Sequence, residues 1–386
     1  MSQPKAKRTS QGPIAMWHCM DIPGVLKLLS MRPPIHWSRW HRWALLPPFA
    51  LYNSVMGGVE RLLYDRKVAE TEINPSPLFI IGHWRSGTTL LHNLVSLDEQ
   101  FTFPNMYHVA FPHHFLLTEE IVSTFTGWML PKSRPMDNIE TGWQLPQEDE
   151  IGLCALCLIS PYLMITFPEK DIYRDLFELK NVSPKVLQEW KDTFTHFLKK
   201  VTYRDPKPIV LKSPSHTYRI PLLLDMFPDA KFLYIYRNPY HVFRSSMHLR
   251  RALFEENTLG LMDETPWESE ILEDYGKAID CYENDRHMIP EGNLHEIRFE
   301  DLELDPLTQI QQAYEGLSLP GFEVLKQKLI PEIKRLEGYK KNAFSNLEMG
   351  LKRRIYEQGR VMFERYGYDP EGAEVACETS RLAVPA

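Results

Sequence analysis

Four runs of apolar residues alternate along the chain with segments of helical periodicity. The runs are LFIIGHW (78–84), KPIVLKSP (207–214), AKFLYIYRNP (230–239) and LHEIRFEDLELDP (294–306). Continuous apolar runs of this length are typical of strands that are buried on both faces of a parallel sheet. Strands that alternate with helices predict an α/β fold, with a P-loop-like parallel β-sheet flanked by helices.

The helical segments that follow these runs have recognisable ends. Ser183 and Pro184 stand where an N-cap and a first-turn proline belong, and they open the amphipathic segment 183–204. The other predicted helices are 88–99, 146–159, 216–228, 240–253 and a long C-terminal helix over 346–369. We therefore predict a main domain over 73–368 with helical insertions, preceded by a helical N-terminal extension (1–72) and followed by a tail (369–386).

The N-terminal extension contains the one candidate for a membrane span that we find in the chain, residues 43–59. This segment is short for a membrane span, and Pro47, Pro48 and Asn53 interrupt it. Together with the aromatic and basic stretch HWSRWHRW before it, it is a candidate for peripheral membrane contact as a pair of interfacial helices. The alternative, which we favour, is a helical extension packed on the main domain.

Composition and charge narrow the functional classes. A net charge of −7 gives no indication of a nucleic-acid partner. An odd number of cysteines argues against a disulfide framework, and the CxxC formed by Cys154 and Cys157 lies inside an apolar run, so we predict buried free thiols. Free thiols and the lack of an apolar signal segment after the basic N-terminus predict a reducing, cytoplasmic location. The cysteines are Cys19, Cys154, Cys157, Cys281 and Cys377.

The first apolar run ends in a glycine-containing loop, GHWRSGTT. Gly82 and Gly87 have the spacing of the phosphate-binding P-loop, but Thr88 stands where nucleotide hydrolases have lysine, and the cation of the loop is Arg85. Backbone N–H groups at the start of the next helix can still cradle an anion. We predict phosphate binding by Arg85, Ser86, Gly87, Thr88 and Thr89.

A second candidate phosphate site follows the third strand. Arg237 ends that strand, and Ser245 lies eight residues later on the predicted helix. A forked guanidinium and a hydroxyl can hold a phosphate monoester from two sides. Ser246 is a weaker candidate for the hydroxyl, and Arg244 or Arg250 could add charge.

These segments together resemble sulfotransferases that use 3′-phosphoadenosine 5′-phosphosulfate (PAPS). RSGTT is similar to the family's 5′-phosphosulfate loop, and Arg237 with Ser245 resembles its 3′-phosphate segment. The resemblance covers roughly 76–368 and is closest to the broad bacterial branch with an acidic PQEDE segment. It implies a catalytic lysine at Lys212 and a cofactor-closing basic segment, YKKNAF, with Lys341. The stretch LKSPSH lacks the histidine base that the cytosolic branch carries two residues after its lysine.

The chemistry of sulfuryl transfer assigns roles to the remaining polar residues. Lys212 and Arg85 are predicted to stabilise the leaving phosphate, since fixed positive charge where negative charge develops is usually the largest catalytic effect. The candidates for the general base are three acids of PQEDE and a histidine, and we favour the first acid. They are Glu148, Asp149, Glu150 and His216. No metal is required, and we interpret the pair His113 and His114 as loop residues.

Alternatives remain for both the reaction and the acceptor. The acceptor hydroxyl or amine could belong to a small molecule, a lipid or a glycan, and aromatic segments around residues 101–130 favour an apolar one. A P-loop nucleotide kinase or NTPase is the alternative enzyme, although the loop lacks its lysine. A catalytically inactive nucleotide-binding module is the third hypothesis.

Overall fold

A four-stranded parallel sheet lies at the centre of the molecule. The computed structural model describes residues 15–130, 139–167, 173–336 and 347–371. The strands are β1 (Leu78–Ile81), β2 (Val210–Lys212), β3 (Lys231–Tyr236) and β4 (Leu294–Arg298). Their order in the sheet is β2-β1-β3-β4, so β1 is a central strand with a parallel partner on each side. The predicted α/β fold is confirmed.

Helices surround the sheet and form the N-terminal extension. They are α1 (Ile22–Ser30), α2 (Trp40–Glu70), α3 (Thr88–Val95), α4 (Met106–Ala110), α5 (Phe115–Thr126), α6 (Asp149–Cys157), α7 (Asp175–Glu178), α8 (Pro184–Arg204), α9 (Ile220–Met226), α10 (Pro239–Asn257), α11 (Trp267–Asp285), α12 (Phe299–Leu304), α13 (Pro306–Gly316), α14 (Phe322–Leu336), α15 (Met349–Gln358) and α16 (Arg360–Tyr366). Short 3₁₀ helices lie at Met16–Cys19, Trp37–Arg39, Gly127–Met129, Pro161–Ile165, Pro214–Tyr218 and Arg286–Met288.

The alternation of side chains along β1 separates two of the apolar cores. Leu78 and Ile80 pack with residues of α3 and of α12 to α14. Phe79 and Ile81 pack on the opposite face with residues of α4, α6, α8 and α9. Because all four side chains are buried, β1 is apolar on both faces, as the uninterrupted run predicts.

The acidic helix begins later than the sequence predicts. We predicted a start at Pro146, but the backbone of Pro146 bridges to Asn105, and Gln147 donates its N–H to the carbonyl of Pro104. These bonds hold the two residues in an extended segment, and α6 starts at Asp149. Glu148 is therefore the N-cap residue of α6, just outside the helix.

Two predictions near the C-terminus are wrong. The single long helix over 346–369 is divided at Gly359 into α15 and α16, and Gly359 lies against Tyr275 of α11, where an added Cβ would come within 3.1 Å of the ring. The acidic half of the fourth run is helix α12 rather than the end of a strand, because the strand pairing with β3 stops at Arg298.

The N-terminal extension packs against the main domain. α2 is one 31-residue helix that continues through Pro47 and Pro48, both of which lie on its exposed side. A buried ion pair of 2.5 Å joins Glu60 of α2 to Lys200 of α8. Among the described residues, no helix is long and apolar enough to cross a membrane.

The described cysteines are buried free thiols, as predicted. They are Cys19, Cys154, Cys157 and Cys281, and burial raises the pKa of each thiol. Cys377 lies outside the described residues.

We predict that His92 of α3 makes stability depend on pH. Its ring is fully buried, neither ring nitrogen has a hydrogen-bond partner among the described residues, and burial lowers its pKa well below 6.5. The unfolded chain therefore takes up a proton as the pH falls through 6.5, while the folded chain does not. His92→Leu should reduce the pH slope of the unfolding free energy by up to about 1.4 kcal/mol per pH unit.

Urea denaturation at about pH 7.5 and about pH 5.5, on either side of the ordinary histidine pKa, measures this slope. His287→Leu, at an exposed histidine, is the control and should keep the wild-type slope. Equal slopes for His92→Leu and the wild type would contradict the prediction.

Candidate active site

The loop after β1 has a backbone that requires glycine. Gly82, Arg85 and Gly87 have positive φ angles of 147°, 71° and 106°. A Cβ on Gly82 would lie 2.4 Å from the carbonyl oxygen of Ile235, and a Cβ on Gly87 would lie 2.2 Å from the ring of Phe299. The loop therefore lies close against Ile235 of β3 and Phe299 at the start of α12.

Hydrogen bonds hold this loop in position. The N–H of Gly82 donates to the hydroxyl of Thr217 at 2.8 Å, which joins the loop to the segment after β2. Within the loop, the hydroxyl and the N–H of Ser86 both donate to the carbonyl of His83, at 2.7 and 3.1 Å. α3 begins directly after the loop, at Thr88, and the first N–H groups of a helix have no acceptor within the helix. The loop therefore has the architecture of an anion cradle.

Arg85 and the second predicted phosphate site come together. The Nε of Arg85 donates to the hydroxyl of Ser245 at 2.7 Å, and the guanidinium of Arg237 contacts the carbonyl of Arg85 at 3.4 Å. Arg237 also stacks on the ring of Phe299, 3.9 Å from its centroid. The two predicted phosphate elements, with Arg85 and Arg237 152 residues apart in sequence, form one cationic cluster.

This cluster contains buried polar atoms with no partner among the described residues, namely Nε of Arg237 and the hydroxyl of Ser246. Burial lowers the pKa of Arg237, while Glu303 and Glu300 raise it. A buried donor without an acceptor costs about 1–3 kcal/mol, and an anion bound here would remove that penalty.

A second charged group lies at the end of β2. Lys212 pairs in register with Ile80 of β1, so its side chain leaves the sheet beside the loop. Its ammonium donates to one oxygen of Glu148 at 2.6 Å, and the hydroxyl of Tyr162 donates to the other oxygen. Burial and the Glu148 carboxylate raise the pKa of Tyr162 well above its usual value, so the phenol keeps its proton. The Glu148 carboxylate is held from both sides.

The other candidate bases have a different setting. Asp149 and His216 bond to each other at 2.9 Å, and both side chains are fully buried. Glu150 is equally buried in an ion pair of 2.7 Å with Arg219. Of the four candidates, Glu148 alone has an exposed part of its side chain.

Aromatic residues connect the loop to Glu148. The indole of Trp84, inside the loop, packs near the Tyr162 ring, with the ring centroids 6.5 Å apart. The neighbouring His83 is kept neutral, because burial lowers its pKa to about 4. Sequence reasoning assigned no role in the site to Tyr162, Phe299 or Thr217. Trp84 lies inside the loop GHWRSGTT, and this position was the signal that could have indicated a role in the site.

The remaining predicted residues have other positions or lie outside the described residues. Arg250, which the sequence offered as an additional phosphate ligand, forms ion pairs with Glu270 and Asp274 at 2.6 and 3.5 Å. His113 and His114 connect the main domain to the N-terminal extension. His113 lies beside the carboxylate of Asp21, and His114 hydrogen bonds to the side chain of Asn53. Lys341 lies outside the described residues.

Comparison with known proteins identifies the family. The profile described as "Sulfotransferase family" matches residues 77–323, which include the loop, Lys212 and Arg237. The chain belongs to the sulfotransferase family. Curated relatives in Mycobacterium bovis and Mycobacterium tuberculosis, both named omega-hydroxy-beta-dihydromenaquinone-9 sulfotransferase Stf3, are 34% identical over 377 residues, with 97% of each chain covered.

Solved structures are similar to this sulfotransferase in fold. The sulfotransferase STF9 from Mycobacterium avium has a TM-score of 0.65 at 17% identity, with 81% of this chain and 82% of that chain covered. STF1 from Mycobacterium tuberculosis has a TM-score of 0.60 at 16% identity, with 86% and 90% covered. The bacterial-type resemblance read from the sequence is confirmed.

We predict that Gly87→Ala disrupts the loop of this sulfotransferase. The new methyl group would overlap the Phe299 ring in a backbone conformation that alanine rarely adopts. The melting temperature should fall by several degrees, as scanning calorimetry would show. Gly292→Ala is the matched control, because Gly292 has a φ of 81° but no atom within 4 Å of an added Cβ. Equal losses in the two variants would show that the contact with Phe299 is unimportant.

Proposed function

We propose that this sulfotransferase transfers a sulfuryl group from PAPS to a hydroxyl group of an apolar lipid. The observation that carries the proposal is the cationic cluster of Arg85, Arg237 and Ser245 beside a glycine loop without a P-loop lysine. A loop of this kind suits a nucleotide whose phosphates are held without a metal-bound triphosphate.

The residues present fit the two ends of the donor. The loop would hold the 5′-phosphosulfate through the side chain of Arg85 and the N–H groups of Gly87, Thr88 and Thr89, since the N–H and the hydroxyl of Ser86 already donate to the carbonyl of His83. Arg237 would hold the 3′-phosphate through its Nε, which has no partner in the described part of the chain, with the hydroxyl of Ser245 or Ser246 on the other side. The stacking of Arg237 on Phe299 fixes the plane of the guanidinium and so favours bidentate contact.

In the proposed reaction PAPS supplies the sulfuryl group. The acceptor oxygen bonds to sulfur while its proton passes to Glu148, and the bond from sulfur to the 5′-phosphate breaks with its electron pair on the phosphate oxygen. Lys212 and Arg85 stabilise the charge that collects there. Adenosine 3′,5′-bisphosphate and the sulfated acceptor are the products.

Glu148 is the base that the surroundings favour. The ammonium of Lys212 and the phenol of Tyr162 each donate to one of its carboxylate oxygens, which fixes the carboxylate in place, while part of its side chain is exposed. Tyr162 acts as a positioning residue, since its hydroxyl donates to one carboxylate oxygen and its ring packs near Trp84 of the loop. Asp149 and His216 occupy each other in the interior, so an acceptor would reach them only after rearrangement.

The relatives indicate the class of acceptor. Their name specifies an omega-hydroxy dihydromenaquinone, which is a lipid with a hydroxyl group at the end of an apolar chain. The identity of 34% extends over almost the whole chain, including the N-terminal extension. We therefore propose a hydroxylated polyprenyl lipid. Transfer of radiolabelled sulfate from PAPS to such lipids, compared with glycans and phenols, tests this, and no transfer to any of them would favour an inactive binding module.

We predict that Arg237→Ala weakens binding of adenosine 3′,5′-bisphosphate by roughly 10- to 100-fold, the range expected for a lost charge-assisted hydrogen bond. Isothermal titration calorimetry measures the affinity of each variant for adenosine 3′,5′-bisphosphate. Arg353→Ala is the control at an exposed arginine and should keep the wild-type affinity. The donor assignment fails if the wild type binds adenosine 5′-monophosphate equally well, or if Arg237→Ala changes nothing.

We predict that Glu148→Gln lowers kcat by roughly 10²–10⁴, because the base is lost, while adenosine 3′,5′-bisphosphate still binds. Tyr162→Phe should lower kcat by less and leave the KM for PAPS unchanged. Glu189→Gln is the control at a surface carboxylate that also pairs with a lysine, Lys27. If Asp149→Asn removes turnover and Glu148→Gln does not, the base lies in the buried pair.

A further inference from the structure

The long helix α2 has an exposed apolar stripe on the side opposite to the one that packs against the rest of the protein. Leu51, Val55 and Leu62 lie on this stripe, with exposed fractions of 57%, 49% and 89%. Residues at these spacings share one side of a helix. The stripe begins at Trp40 and includes Ala44, Pro47 and Pro48. An exposed row of this length is unusual for a helix on the surface of a protein.

The packed side of α2 is the more polar side. Arg42 donates to the carbonyls of Glu255 and Thr258, and Asn53 donates to the carbonyls of His18 and Met20. Glu60 forms its buried pair with Lys200. Separating a buried charge from its partner is strongly destabilising. α2 is therefore fixed with its apolar stripe outwards, and it cannot rotate to bury that stripe.

Two helices that contact α2 also carry exposed apolar side chains. α1 carries exposed Leu26 and Leu29, and the N–H at its start, on Ile22, donates to Ser54 of α2. α5 is joined to α2 by the N–H of Leu117, which donates to Glu60. On α5 and just after it, the exposed residues are Ile121, Phe125 and Trp128. We call these side chains, with the stripe on α2, the α1–α2–α5 surface.

The charges on α1, α2 and the segment between them are predominantly positive, whereas the charged residues of α5 are Glu119, which is buried, and Glu120, which is exposed. Residues 44–59 contain no Asp, Glu, Lys or Arg. Residues 22–70 contain seven Lys or Arg and three Asp or Glu, although the whole chain has a net charge of −7. Arg39 precedes the stripe, and Arg61 and Lys67 follow its centre. Exposed Trp37 and Trp40 stand at one end, and tryptophan favours the boundary between lipid and water.

We propose that the α1–α2–α5 surface docks on an anionic lipid bilayer, with α1 and α2 lying in the plane of the headgroups. Apolar side chains enter the acyl boundary, and the basic residues contact lipid phosphates. A second copy of the chain fits less well, because both ends of the stripe are basic and either direction of pairing brings like charges together. The docking does not depend on the proposed function, but it would bring the enzyme to an acceptor dissolved in the bilayer.

Co-sedimentation of the full chain with vesicles tests the proposal. One set of vesicles is phosphatidylcholine, and the other is an equimolar mixture of phosphatidylcholine and phosphatidylglycerol. We expect binding to the mixed vesicles that weakens as sodium chloride is added. A triple variant, Leu51→Ser with Val55→Ser and Leu62→Ser, should bind at least about tenfold more weakly, since each substitution removes apolar area from the docked surface.

The matched control is a second triple variant of the same composition outside this surface. Leu261→Ser, Leu304→Ser and Val324→Ser remove side chains with exposed fractions of 64%, 60% and 63%. This control should bind vesicles like the wild type. All six positions are exposed, so both variants should keep the circular dichroism spectrum and the melting temperature of the wild type.

Three outcomes would overturn the proposal. The first is a wild type that binds neither kind of vesicle. The second is equal binding by the two triple variants. The third is a wild type that is dimeric by light scattering, becomes monomeric in the first triple variant and binds no vesicles, which would assign the surface to a second copy of the chain. Neither PAPS nor an acceptor is present in these measurements, so failure here is distinguishable from failure of the proposed function.

Discussion

β1 lies between β2 and β3 in parallel register, and the positions of the charged groups follow from that pairing. Ile80 stands opposite Lys212, and Ile81 stands opposite Tyr234. The glycine loop, Lys212 and Arg237 therefore emerge at the same edge of the sheet, where ligands of open α/β folds bind. A shift of one residue would turn every side chain of a strand to the opposite face. The contact of Gly82 with the backbone of β3 leaves no room for such a shift.

The acidic segment illustrates how a helix start distributes charge. Glu148, Asp149 and Glu150 are consecutive, yet each carboxylate meets a different basic residue of the segment 212–219. Successive side chains at a helix start point in different directions, so three adjacent acids do not share one site. Two of the pairs are fully buried and fix α6 against the segment after β2. The third, at the N-cap, lies at the edge of the interior, where part of the Glu148 side chain is exposed.

Local signals in the sequence predicted the strands, the glycine loop and the residues at the strand ends, because these depend on short-range chemistry and on parallel topology. The partners of those residues depend on the packing of distant segments. Tyr162 meets Glu148 because a 3₁₀ helix follows α6, and Phe299 supports both Gly87 and Arg237 because α12 follows β4. The break at Gly359 likewise reflects the approach of α11. Periodicity alone contains no information about such approaches.

α6 also connects the candidate base with the N-terminal extension. Its first turn follows Glu148, while α1 packs on its far end, where Lys27 donates to the carbonyl of Cys157 and Gly24 approaches the carbonyl of Ala155. A nine-residue helix is about 14 Å long. α6 therefore separates Glu148 from the contact with α1 by about one length of this helix. In the proposed docking, an acceptor anchored in the bilayer has to span a separation of this order to reach Glu148. A hydroxyl group at the end of a long apolar chain suits such a separation better than a hydroxyl group on a compact headgroup, which is why we propose the chain-end hydroxyl.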